Sequence, residues 1–93
     1  MPTASRDIIV SNGNGLHARP AMQFVERANG FGSTIRVRKL GDDPVEADGK
    51  SLMQMIGLEA IQGTQLRIEA EGEDAADAVM TLAHLFETNF GED

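Results

Sequence analysis

The chain of 93 residues has no cysteine, no tryptophan, no tyrosine and only four phenylalanines. Without cysteine there is no disulfide framework, no thiol nucleophile and no thiolate-ligated metal site, a usage that fits a reducing compartment. So few aromatic rings argue against base-stacking platforms and aromatic sugar-binding walls. Positive charge is scarce too: eight Lys and Arg face fifteen Asp and Glu, for a formal charge of −7. A chain so acidic lacks the basic surface that non-specific nucleic-acid binding needs, so no nucleic-acid partner is expected. No apolar run approaches the ~20 residues that span a bilayer, and MPTASRD carries no apolar signal core. A cytoplasmic protein without membrane insertion is the expectation. The length allows one small domain, 1–93, with a core over about 6–88 and short flexible termini.

What is present is apolar patterning punctuated by glycine. Ile8, Ile9 and Val10 predict a strand over residues 6–11, which Asn12-Gly13-Asn14-Gly15 then breaks with turn chemistry. Ala21, Phe24, Val25 and Ala28 recur at helical spacing and predict a helix over 18–29, with Pro20 tolerated in its first turn and Gly30 ending it. Alternation around Ile35 and Val37 predicts a strand over 34–39, with Arg36 and Arg38 on its other face. Gly41-Asp42-Asp43-Pro44 reads as a turn and 45–47 as a short return strand. A short helix over 51–57 starts at Ser51 as N-cap. Leu66, Ile68 and Ala70 alternate in a strand over 65–71. Asp74 is the expected N-cap of a last helix whose stripe is Ala75, Val79, Leu82 and Phe86. The order β-α-β-β-α-β-α, with one apolar face per element, predicts one sheet covered on one side, an open-faced sandwich.

Two histidines invite different readings. His84 lies off the last helix's stripe and reads as a solvated or partly packed helical residue. His17 follows the glycine-rich turn and precedes the first helix, where backbone N–H groups and the helix dipole favour negative charge. Arg19 adds a planar donor fork. A phosphate carried on His17 could be held there; a plain loop residue in an N-cap-like position fits the local physics equally well. Gly49-Lys50-Ser51 looks like the end of a P-loop, but Pro44 stands where that motif needs glycine. Asp42-Asp43 and Glu71, Glu73 and Asp74 read as solvated turns and a helix start, so no metal site and no cofactor are expected. Ser51 is an N-cap that could also tolerate a phosphate at a helix start. Met22, Leu52, Met53, Met55 and Ile56 exceed what single helical faces can bury. They read either as an adaptable binding surface or as residues a small core absorbs.

Gly15-Leu16-His17-Ala18-Arg19-Pro20-Ala21 resembles the active-site motif of HPr, the histidine-containing phosphocarrier of the phosphoenolpyruvate-dependent sugar phosphotransferase system. QFVERANGF, KSLMQMIGL and QGTQLRIEAEGED extend that resemblance in order and spacing over nearly the whole chain. The resemblance implies an α+β fold: a four-stranded antiparallel sheet with three helices on one face. It implies a stoichiometric phosphoryl carrier, not a turnover enzyme, that accepts phosphate from enzyme I on Nδ1 of the residue matching His17. The carrier would pass it to enzyme II A-type components. Imidazole suits that task, because its ordinary pKa of about 6.5 leaves a neutral, nucleophilic nitrogen at cellular pH. Arg19 matches the family's active-site arginine, and Ala18 and Arg19 would hold the phosphate. Ser51 matches the serine that an HPr kinase/phosphorylase modifies in many members. Ala18, Met22, Leu52, Met53 and Ile56 match the docking surface, and a monomer is expected.

The chain also departs from that pattern. Glu59 stands where the family usually has glycine after the second helix, so Gly57 is expected to take over the helix ending. The hairpin over 40–48 is longer than usual and acidic at its tip. Arg19, Arg27 and Lys50 are expected near the site, with Glu26 beside them. These departures carry the alternative of a nitrogen-regulatory or purely regulatory relative that acts through protein contacts and Ser51. A hydrolase using His17 as general base would lack a nucleophile and a pocket.

Overall fold

The computed structural model describes residues 1–41 and 44–91. Four strands, β1 (Thr3–Ile9), β2 (Thr34–Lys39), β3 (Val45–Asp48) and β4 (Gln65–Glu71), form one sheet in the order β1-β4-β2-β3. Every pairing is antiparallel. Three helices, α1 (Ala18–Ala28), α2 (Leu52–Gly57) and α3 (Ala75–Glu87), cover one face, and a last turn spans Asn89–Gly91. The predicted α+β open-faced sandwich is thus the fold observed. Asp42 and Asp43, the predicted hairpin tip, lie outside the described residues.

The period-two alternation explains the sheet's two faces. Ile8, Ile35, Val37, Ala47, Leu66, Ile68 and Ala70 point into the core. Their neighbours Asp7, Arg36, Arg38, Glu46, Arg67 and Glu69 point away from it and pair across the strands. Arg67 donates from Nε to Asp7 at 2.7 Å, which holds the Asp7 carboxyl below its usual range and raises the guanidinium's own pKa. Arg38 donates from Nε to Glu46 at 3.0 Å, and this bond likewise holds the Glu46 carboxyl below its usual range. On the covered side Phe24 of α1 meets Phe86 of α3 edge to face, with ring centroids 5.9 Å apart.

β1 is shifted from the predicted 6–11. It starts at Thr3 and pairs Thr3 with Glu71 through to Ile9 with Gln65. Backbone pairing needs no apolar side chain, so polar Thr3, Ser5 and Arg6 join the ladder. Val10 leaves that ladder and bonds to the loop just before β4, donating to Thr64 O and accepting from Gly63 N. The other end of the core also passes the expected boundary, because Phe90 is buried against Phe86.

The helix ends differ in detail. α1 stops at Ala28 with Asn29 as its C-cap, and Asn29 Nδ2 donates back to Val25 O. Gly30 lies just beyond and does not adopt a left-handed conformation. Asp74 precedes α3 but does not cap it through its side chain. Its carboxylate instead accepts from Gly32 N, Ser33 N and Ser33 Oγ, tying the α1–β2 loop to the start of α3. Those donors, the Ser33 hydroxyl first, lower its pKa. No helix among the described residues is long and apolar enough to cross a membrane.

Candidate functional site

The site is built on the loop that leads from β1 into α1. Asn12 is buried, and its Nδ2 donates to Gly15 O at 2.6 Å, while Gly15 N donates to Asn12 O at 3.0 Å. Gly15 adopts φ +68°, where a side chain is disfavoured. A Cβ there would lie 2.5 Å from Ala60 O and 2.9 Å from Ile61 Cα. Leu16 N donates to the same Ala60 O at 2.8 Å, and Gln62 Nε2 donates to Ser11 O at 3.1 Å. The loop is therefore stitched along its length to residues 60–64, which follow α2.

This loop delivers His17 as the N-cap of α1, with extended backbone angles and no side-chain capping bond. The first helical hydrogen bond runs from Ala21 N to His17 O. Pro20 has no N–H, so Ala18 and Arg19 supply the two amides of the first turn that have no acceptor within the helix. His17 is half-buried, and its Nε2 is out of contact with solvent. Ala18 and Arg19 are exposed beside it, and Arg19 makes no ion pair among the described residues.

The expected basic rim is not gathered there. Arg27 lies in the last turn of α1, more than two turns from His17. Lys50 donates through Nζ to Phe31 O at 2.7 Å, past the opposite end of α1. Arg19 is left as the cation of the predicted set at the head of α1. His84 is exposed on α3, remote in sequence from this loop and facing Glu87 at 3.8 Å.

Ser51 is the N-cap of α2, as expected, and its Oγ accepts from Gln54 N at 3.3 Å. Asp48 braces the same turn: its Oδ1 accepts from Lys50 N and its own N–H donates to Gln54 Oε1. The surplus apolar residues divide between two fates. Met55 is fully buried and Leu52 packs partly against the core. Met22, Met53 and Ile56 remain exposed at 47%, 86% and 42%.

Sequence reasoning missed Ile61, which is 72% exposed and lies directly behind Gly15. Its signal was an isoleucine directly before the turn residues Gln62-Gly63. The expected role of Gly57 is also overturned. Gly57 stays within α2, Leu58 is the C-cap, and Glu59 itself takes the left-handed conformation at φ +51°. Among the described residues no group of three His, Cys, Asp or Glu side chains is placed to hold a metal ion.

The match to known proteins extends over the whole of this arrangement. Residues 4–88 match the family model described as the PTS HPr component phosphorylation site. The phosphocarrier protein NPr of Proteus mirabilis is 38% identical over 91 residues, covering 98% of this chain and 99% of its own. The phosphocarrier protein HPr of Haemophilus influenzae is 44% identical over 84 residues, covering 90% of this chain and 95% of its own. The multiphosphoryl transfer protein of Salmonella typhimurium is 36% identical over 95% of this chain, which matches 23% of that longer protein. Among solved structures, HPr-C-His from Thermoanaerobacter tengcongensis superposes with a TM-score of 0.88 at 38% identity, over 97% of this chain and 98% of that one. A likeness that takes in the His17 loop, all three helices and the whole sheet places this chain among the HPr-type phosphocarriers of the phosphotransferase system, the family to which it belongs.

Proposed function

We propose that the protein carries a phosphoryl group on Nδ1 of His17, taken from an enzyme I charged by phosphoenolpyruvate and passed to an enzyme II A-type component for sugar uptake. The observation that carries this reading is the state of His17 at the head of α1. Its Nε2 is shielded from solvent, and Nδ1 is the nitrogen that the family resemblance assigns to the phosphoryl group. In the transfer, a bond forms from Nδ1 to phosphorus as the donor's own bond to phosphorus breaks and the donor imidazole leaves, protonated. In this reading the amides of Ala18 and Arg19 and the helix dipole bind the phosphoryl oxygens, and the Arg19 guanidinium offsets their charge in the transfer state. A few donors on an open surface suit a carrier, which must hold the group without trapping it. In this reading residues 1–93 act as one cytoplasmic, monomeric HPr-like domain that turns nothing over on its own. Ala18, Met22, Leu52, Met53 and Ile56 form the docking face. Ser51 is the site for an HPr kinase/phosphorylase, at a helix start where added negative charge is tolerated.

A second reading is a nitrogen-regulatory relative that uses the same His17 chemistry for other clients. It is favoured by the likeness to NPr over 98% of the chain. That span takes in Phe90, which lies beyond residue 88, where the family model ends. One experiment tests both. The protein is mixed with phosphoenolpyruvate and, in separate reactions, an enzyme I of the sugar branch and one of the nitrogen branch, and intact mass is followed at neutral and acid pH. One phosphate that is lost in acid and absent in His17→Ala supports the carrier, and the faster donor identifies the branch. No phosphate from either donor, each shown to be active on a control carrier, would overturn it.

A further inference from the structure

Glu59 carries two costs at once. It holds a left-handed backbone at φ +51°, where glycine would be unstrained, and it puts a carboxylate at the C-terminal end of α2, where the helix dipole already presents negative charge. Among the described residues no contact repays either cost. The side chain is exposed and takes no hydrogen bond or ion pair among the described residues. Lys39, the cation at this helix end, donates to Leu58 O at 3.1 Å instead. The position, however, falls in the chain between exposed Ile56 and exposed Ile61, next to the residue that bonds the His17 loop. Glu59 N donates to the carbonyl of exposed Ile56 at 3.1 Å. The next residue, Ala60, accepts from Leu16 N beside the histidine, and exposed Ile61 follows.

We infer that Glu59 is a specificity-determining residue of the docking face, which selects a protein partner presenting a lysine or arginine opposite the C-terminal end of α2. Met53, Ile56 and Ile61 supply adaptable apolar contact on either side, which does not discriminate among partners by charge. A carboxylate carried on the same segment does discriminate, mainly through the rate of encounter. The inference rests on the carrier reading above, and its test separates the two.

Glu59→Gln keeps the backbone strain and the side-chain shape but removes the charge, Glu59→Lys inverts it, and Glu59→Gly relieves the strain. Each variant is first phosphorylated with phosphoramidate, a small donor that needs no docking. Failure of the wild type at this step, with His17→Ala as control, counts against the carrier reading alone. Transfer from the organism's own enzyme I is then timed at low and high salt. The expected second-order rates fall from wild type to Gln by about 3-fold and to Lys by about 10-fold or more at low ionic strength, and converge at ~0.5 M salt. Glu59→Gly should follow Gln in rate while melting about 2–5 °C higher than wild type. Wild-type rates for both Gln and Lys, or a faster Lys variant, would overturn the inference.

Discussion

At the scale of single residues the site depends on a position where backbone conformation and crowding together exclude a side chain. Gly15 combines φ +68° with the carbonyl of Ala60 at the place a Cβ would need. Gly13, two residues away in the same turn, has nothing within 4 Å of its Cβ position and no positive φ. Gly15→Ala is therefore expected to cost about 2–4 kcal/mol and to displace His17, whereas Gly13→Ala should stay within about 0.5 kcal/mol. Urea unfolding midpoints of the two variants check this, and equal midpoints would mean that the contact between the loop and residues 60–61 gives way easily. Ser51 offers a contrasting case, because its capping bond to Gln54 N serves α2 alone. Ser51→Ala should lose about 1 kcal/mol of stability while phosphate uptake on His17 proceeds, read by denaturation and by intact mass. A joint loss of both would instead tie the cap to the phosphate site.

At the scale of elements, Asp74 shows how a residue read for one role serves another. Ser, Thr, Asp or Asn before an apolar-periodic run signals an N-cap, and Asp74 stands in that place. The signal could not reveal that Gly32 and Ser33, some forty residues earlier, present three donors to the same carboxylate. Ser51 followed the identical logic and does cap its helix, because nothing distant competes for its hydroxyl. The stapling has a pH signature. The folded-state pKa of Asp74 lies below its usual value of 3.8, so the unfolded chain takes up a proton first as pH falls. The contribution is complete above about that value and is lost as pH falls through the lower folded value. Asp74→Asn should lower the unfolding midpoint at pH 6 and bring it close to wild type in strong acid, measured as the difference in urea midpoint across that range. An unchanged gap at low pH would place the effect elsewhere.

The elements themselves were largely legible, for reasons that also explain the failures. Strand β4 and helix α1 announce themselves because one face is apolar at the right period. The start of β1 did not, because Thr3 and Ser5 join the sheet through backbone bonds and face solvent. The histidine loop was legible as a motif, but Ile61 behind it was not, since a short irregular segment has no period to tell its exposed apolar residue from the buried Leu58 and Ala60. Arg27 and Lys50 were misplaced because proximity along the chain says little about which end of a helix a long side chain reaches.

At the scale of the whole molecule the sheet's two faces contribute unequally. The open face carries Asp7, Arg67, Arg38, Glu46 and Glu69 in exposed pairs, which solvent screens and salt weakens further. Cohesion must come from the covered face, and it extends further along the chain than the predicted core. Phe90 falls four residues after Phe86, so the helical spacing of the stripe continues, yet α3 ends at Glu87. Asn89 and Phe90 both turn left-handed, at φ +53° and +56°, and carry the Phe90 ring back onto Phe86 with centroids 4.8 Å apart. Such strain persists only where surrounding contacts hold it. Burial of the ring is the evident contact, aided by a hydrogen bond from Ser11 Oγ to Asn89 Oδ1. Phe90→Ala should therefore cost about 3 kcal/mol, the low end for a buried aromatic, because the freed terminus also relaxes its strained backbone. That corresponds to a melting temperature more than about 10 °C lower for a chain of this size. Arg67→Ala on the open face should shift it by only a few degrees. Calorimetry of the two variants reads the difference directly, and a larger loss from Arg67→Ala would reverse the assignment of cohesion to the covered face.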